Sequence, residues 1–176
     1  MAIRDVVIEG DPVLRLKAKG VRRFGQRVTD IVADMFDTLR VADGVGLAAP
    51  QIGISERIVV ITMPEEPEDD PHAGVRIAVI NPKIVKAKGE VTCSEGCLSV
   101  PGFSGEVTRA EQVLVKAKDP QGKDVRYKAT GLLARAFQHE IDHLDGVLFL
   151  DKVVEGTLVY LGEQELPELE PDVARP

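Results

Sequence analysis

His139 and His143 stand four residues apart, with Glu140 directly after the first, in "FQHEIDHLDG", residues 137–146. Four residues is about one helical turn, so on a helix both imidazoles leave the same face and offer nitrogens to one cation. Glu140 is turned about 100° around the axis, within reach of a water on that cation. This H-E-x-x-H arrangement suits metal-assisted hydrolysis, which needs neutral nitrogen donors and a nearby base. The remaining histidine, His72, lies in an acidic loop and reads as a surface residue.

A catalytic centre of this kind takes three protein donors and keeps one position open. An extended motif would put a further histidine at 149, but that residue is Phe149. Glu163 is a formal candidate twenty residues after His143, although its acidic surroundings make a solvated charge the default. Upstream, "CSEGCLSVPG", 93–102, offers a thiolate in a turn-like segment. Thiolate is the stronger donor for a borderline or soft ion. Spacing alone does not choose between Cys93 and Cys97, and a tetrahedral cysteine–histidine–histidine site would by itself favour zinc.

The helix that carries the histidines is expected over 130–146, with Thr130 as cap and Gly146 as stop. Leu132 and Ala136 share the face of His139, where they form either an apolar wall for a substrate side chain or plain core. A first long helix is expected over 28–44, capped by Thr29 and stopped by Gly44, with Ile31, Met35, Leu39 and Ala42 on one face. Asp11 and Pro12 open a short helix. "GVGLAAPQIGI" is rich in small residues and reads as a loop. Strands are expected over 57–63, 75–82 and about 83–93, with an exposed loop over 64–74 and a β-hairpin over 111–131. The fold class is α+β: short antiparallel or mixed sheets and hairpins packed around a central helix that bears the histidines. A single domain is expected across 1–176, with an acidic, Pro-rich tail from about 163 to 176.

The chain has 176 residues, 44% hydrophobic and 29% charged, which is enough to bury a core without disulfides. Its formal net charge of −7 disfavours sequence-independent grip on nucleic acid. The basic residues between Arg15 and Arg27 are dispersed and read as a solvated face. No apolar run approaches the roughly 18 residues of a membrane span. No signal peptide is apparent, and the two cysteines fit a reducing cytoplasm.

Three segments together, "GVGLAAPQIG" at 44–53, "EGCLSVPG" at 95–102 and "QHEIDHLDG" at 138–146, resemble the three motifs of peptide deformylases in order and spacing. The similarity runs from about "DPVLR" to about "LFLDKV". It implies removal of the formyl group from the N-terminal formyl-methionine of new bacterial polypeptides. The metal implied is Fe(II), with Ni(II), Co(II) or Zn(II) as substitutes. The resemblance maps the ligands onto Cys97, His139 and His143, and leaves Cys93 as a small buried neighbour. Glu140 becomes the general base. The side-chain amide of Gln51 and the backbone N–H of Leu98 become the donors to the developing oxyanion. Gln51 by itself could be a loop hydrogen bond, and Gly44 and Gly46 could merely form a turn. The resemblance supports close approach of substrate backbone at Gly46, with Val45, Leu132 and Ala136 lining the methionine pocket. It also pairs Glu95 with Arg109 behind the cysteine loop. The acidic tail lacks the basic helix that some bacterial members dock on the ribosome, so ribosome association would be transient and of another kind. The rival expectations are a zinc peptidase using Glu163 and a non-enzymatic metal or redox sensor built on the two cysteines.

Overall fold

The computed structural model describes residues 2–66 and 70–162. Its elements are α1 (Gln26–Val41), β1 (Gly46–Ala48), β2 (Ile58–Thr62), β3 (Arg76–Lys88), β4 (Val91–Cys97), β5 (Val100–Arg109), β6 (Gln112–Lys118), β7 (Asp124–Thr130), α2 (Gly131–Leu144) and β8 (Val159–Tyr160). Short 3-10 turns occupy Pro12–Arg15, Ala49–Ile52 and Phe149–Asp151. The strands form a five-stranded sheet in the order β1-β2-β3-β6-β7 and a three-stranded sheet in the order β4-β5-β8, with antiparallel pairing within both. The α+β class expected from sequence is the observed one. No helix among the described residues is long and apolar enough to cross a membrane.

The large sheet is covered on both faces, which explains the unbroken apolar run of β2. Val59 and Ile61 pack with Leu133, Ala134, Phe137, Ile141 and Leu144 of α2. Ile58 and Val60 point the other way, to Val28, Ile31, Val32, Met35 and Leu39 of α1. Phe137 is fully buried, and truncating such a side chain to alanine costs about 3–5 kcal/mol. A third cluster, Leu14, Val100, Val107, Leu148 and Phe149, seats the small sheet.

Several local expectations are corrected. The helix α1 starts at Gln26 behind Gly25, not at a Thr29 cap; the Thr29 hydroxyl instead donates to the Gln26 carbonyl at 2.8 Å. It ends at Val41, before Gly44, and Asp43 turns the chain with φ 53°. Thr130 stands at the cap position of α2, but its side chain makes no capping bond and lies 3.3 Å from His72 Nε2. The 44–54 "loop" contains β1 and the turn at Ala49–Ile52. The two strands expected over 75–93 are instead the long β3 and then β4. Asn81 and Pro82 fall where the β3–β6 register shifts, so the missing proline donor costs no ladder bond. Pro12–Arg15, with the Asp11 carboxylate accepting from Val13 N–H, and the β6–β7 hairpin match expectation. The expected tail from 163 onward lies outside the described residues.

Candidate metal centre and active site

The histidines come from the middle and last turn of α2, with ring centroids 5.0 Å apart. Cys97 ends β4 in the other sheet. One ligand atom from each of Cys97, His139 and His143 lies within 4.8 Å of the others. Cys97 Sγ is 3.2 Å from His143 Nε2. His139 Nδ1–H donates to Glu95 Oε2 at 3.0 Å, which leaves Nε2 as its free lone pair. A sulfur and two imidazoles at this spacing fit a divalent transition metal. Cys93 is half-buried on β4 rather than buried, and it is absent from this cluster. Both cysteines are free thiols. His72 is not in the cluster, and Glu163 lies outside the described residues.

Electrostatics at the cluster favour one positive charge. Burial would lower the pKa of His139, but hydrogen bonds to Cys97 and Glu95, with the charges of Glu140 and Cys97, raise it to about 10. Burial, together with the charges of His139, Arg109 and Arg15, pushes His143 well below its ordinary value. A divalent cation would take the place of the single proton that the site attracts.

Glu140 is buried, and its Oε2 has no hydrogen-bond partner among the described residues. Burial raises its pKa to about 7, against the opposing pull of His139 and Arg109. Room for it comes from Gly46. A Cβ there would sit 2.8 Å from Glu140 Cγ and Cδ and closer still to Oε1. The glycine is thus required by the glutamate, whatever substrate backbone also passes it. Gly44 similarly clears Leu39 and Leu98, each 2.9 Å from its would-be Cβ.

Gln51 is buried in the Ala49–Ile52 turn. Its Oε1 accepts from Ala48 N–H at 2.8 Å, which orients the amide. Its Nε2 then donates to Ser99 Oγ at 3.2 Å and faces Cys97 Sγ at 3.6 Å. Leu98 follows Cys97, half-buried at the pocket wall. A cavity of about 460 Å³ is lined by Gln51, Cys97 and Leu98, and also by Val45, Gly46, Leu132, Ala136 and Glu140.

Glu95 and Arg109 form a two-pronged ion pair, both contacts 2.9 Å, with side chains only 7% and 3% exposed. Burial opposes ionisation of Glu95, yet hydrogen bonds from Arg109 and His139 hold its pKa down to about 2. Arg109 also pairs with Asp142 of α2, which in turn takes Lys152 at 2.8 Å. Sequence reasoning missed Asp142 and Ser99. The signal for Asp142 was its place within the histidine turn, and for Ser99 its place two residues after Cys97.

A family model described as polypeptide deformylase matches residues 3–158. A protein named peptide deformylase from Thermomicrobium roseum is 48% identical over 166 residues, 94% of each chain. One from Dictyoglomus turgidum is 50% identical over 155 residues, 88% of this chain and 94% of the relative. The crystal structure of a peptide deformylase from Legionella pneumophila superposes with a TM-score of 0.79 at 46% identity, covering 88% of each chain. That of a peptide deformylase from Synechococcus elongatus, in complex with actinonin, does so at 0.79 and 45% identity, covering 87% of this chain and 82% of that one.

Proposed function

Because the chain belongs to the polypeptide deformylase family, we propose that Cys97, His139 and His143 hold its metal while Glu140, Gln51 and the Leu98 backbone carry its chemistry. The activity is hydrolysis of the formyl amide on the N-terminal formyl-methionine of newly made polypeptides, with release of formate. A cation on the three donors would supply Lewis acidity and make water a usable nucleophile near neutral pH. A thiolate with two imidazoles suits Fe(II), our choice, and also Zn(II), Ni(II) or Co(II).

Glu140 accepts a proton from the attacking water and returns it to the departing amine nitrogen. Burial, which raises the pKa of this carboxyl, helps it to hold the proton between the two transfers. Attack on the formyl carbon moves charge onto the formyl oxygen. The Gln51 amide, locked through Ala48, and the Leu98 N–H stabilise that charge without reorganising. Val45, Gly46, Leu132 and Ala136 hold the methionine end of the substrate. Glu95 fixes the tautomer of His139, and Arg109 fixes Glu95. The substrate is a nascent chain in the cytoplasm, met transiently at the ribosome.

What supports this most is that Cys97, His139 and His143 bring their ligand atoms within 4.8 Å of one another, while Cys97 and His139 share a cavity with the buried Glu140, whose Oε2 has no partner among the described residues. The test is formate release from a formyl-methionyl peptide by anaerobically prepared protein of measured metal content. Glu140→Gln should keep the metal and lose at least about a hundredfold in kcat. Cys97→Ser should lose metal and activity together. Full turnover by Glu140→Gln would refute the assigned roles.

A further inference from the structure

The family match ends at residue 158, yet the chain continues in a fixed course that brings Leu161 to the wall of the cavity. Val159 and Tyr160 form β8 against Ser104 and Phe103 of β5. The Phe103 and Tyr160 rings pack at 5.0 Å. Leu161 N–H donates to the Gly102 carbonyl at 2.7 Å. Gly102 is shaped for this strap: its φ is +76°, and a Cβ would lie 2.5 Å from Gly162 O and 2.7 Å from Tyr160 Cε2.

Core burial does not explain why the strap is held. Tyr160 is 58% exposed and Leu161 70% exposed, beside Phe103 at 39%. Scattered exposed apolar residues are ordinary, but here they are contiguous, and Phe103 and Leu161 line the catalytic cavity. Gly102, Phe103 and Leu161 share that cavity with Leu132 and Ala136. Exposure along it rises from Ala136, buried at 7%, to Leu161. A peptide whose formyl group sits at Glu140 has its first side chain at the enclosed end. Its later residues leave over the exposed rim, at about 3.3 Å per residue if extended.

We infer that the strap Val159–Gly162 is a specificity element, in which Leu161 and Phe103 give an apolar seat to one side chain downstream of the formyl-methionine. The inference rests on the deformylase reading and extends it to substrate class: nascent chains with a hydrophobic residue among positions two to four. Partial burial of one leucine on such a seat is worth about fivefold in kcat/KM.

The experiment uses the metal-loaded full chain and formyl-Met-Ser-Ser-Ser, with leucine placed in turn at positions two, three and four. One leucine position should raise kcat/KM about fivefold over the all-serine parent. Leu161→Ser should bring that ratio close to one, and Tyr160→Ser, which unseats the strap from Phe103, should lower it too. Leu161 is exposed, so its substitution leaves the core untouched. Formate from the parent with no leucine preference at any position overturns the inference alone, as does a preference that survives Leu161→Ser unchanged. No formate from the parent overturns the deformylase reading and the inference with it.

Discussion

At the scale of single residues, Arg109 does more than its one expected partner suggests. It neutralises Glu95 and Asp142 at once, and Glu95 in turn orients His139. Removing one member of a buried charge pair strands the other, at about 3–5 kcal/mol. Arg109→Leu should therefore lower stability by roughly 3 kcal/mol, somewhat under-spending the range because Lys152 still reaches Asp142. Metal affinity should drop about 10–100-fold, since His139 loses its fixed partner geometry. Thermal unfolding and a competitive metal titration measure the two effects, and Arg109→Lys should recover only part of each because it cannot fork. Unchanged metal affinity would mean that Glu95 orients His139 without help. The ion pair with Glu95 was legible only through the family's motifs; nothing in local spacing points from one residue to the other, fourteen positions away. Asp142 was hidden for the opposite reason, since an acidic residue on a helix ordinarily faces water.

At the scale of elements, the N-terminal arm ties the turn that carries Gln51 to α1. Asp34 of α1 accepts from Ala2 N–H at 2.7 Å and from the Arg4 guanidinium at 2.7 and 3.0 Å. Farther along, Val7 N–H donates to the Gln51 carbonyl and Glu9 N–H to the Ser99 carbonyl, both at 2.7 Å. The Ala2 amide first, and Arg4 second, lower the pKa of Asp34 below its ordinary 3.8. A lowered carboxylate pKa contributes stability that is fully present above the unfolded value and lost as pH falls through the folded one. The arm should thus stay docked down to about pH 4 and loosen only below it. Backbone relaxation of Arg4 and Val7 reads this directly, and Asp34→Ala should show the loosened arm already at pH 7, with kcat reduced several-fold. An arm that stays rigid in Asp34→Ala would show that the Val7 and Glu9 bonds suffice. This arm has no helical or alternating pattern, so sequence could not foretell it. The helix α2 was legible because its apolar residues recur at helical spacing. By contrast β1 was missed, because three small residues carry no alternation to read. The Asn81-Pro82 pair looked like a strand break because its punctuating residues sit at a bulge, where a strand tolerates them.

At the scale of the whole molecule, the site is a seam. Cys97 belongs to the small sheet, while His139 and His143 belong to the helix that packs on the large one. The Arg109–Asp142 pair and the Leu148–Phe149 cluster hold the seam permanently, and a cation on the three donors would close it in a removable way. Anything that binds only the folded state stabilises by RT ln(1 + [L]/Kd), about 4 kcal/mol at a thousandfold excess over Kd. At about 2–4 °C per kcal/mol for a chain of this size, chelation should lower Tm by roughly 10 °C, and returning the metal should restore it. With no tryptophan in the chain, calorimetry or circular dichroism is the suitable probe. Hydrogen exchange adds the spatial test: on chelation, amides of β4 and β5 should exchange faster while those of β2, enclosed between the two helices, should not. Uniform acceleration across both sheets would mean that the metal supports the entire core rather than the seam. An unchanged Tm after proven metal loss would mean that the ionic pair and the apolar cluster already hold the two sheets together, and that the cation serves the chemistry alone.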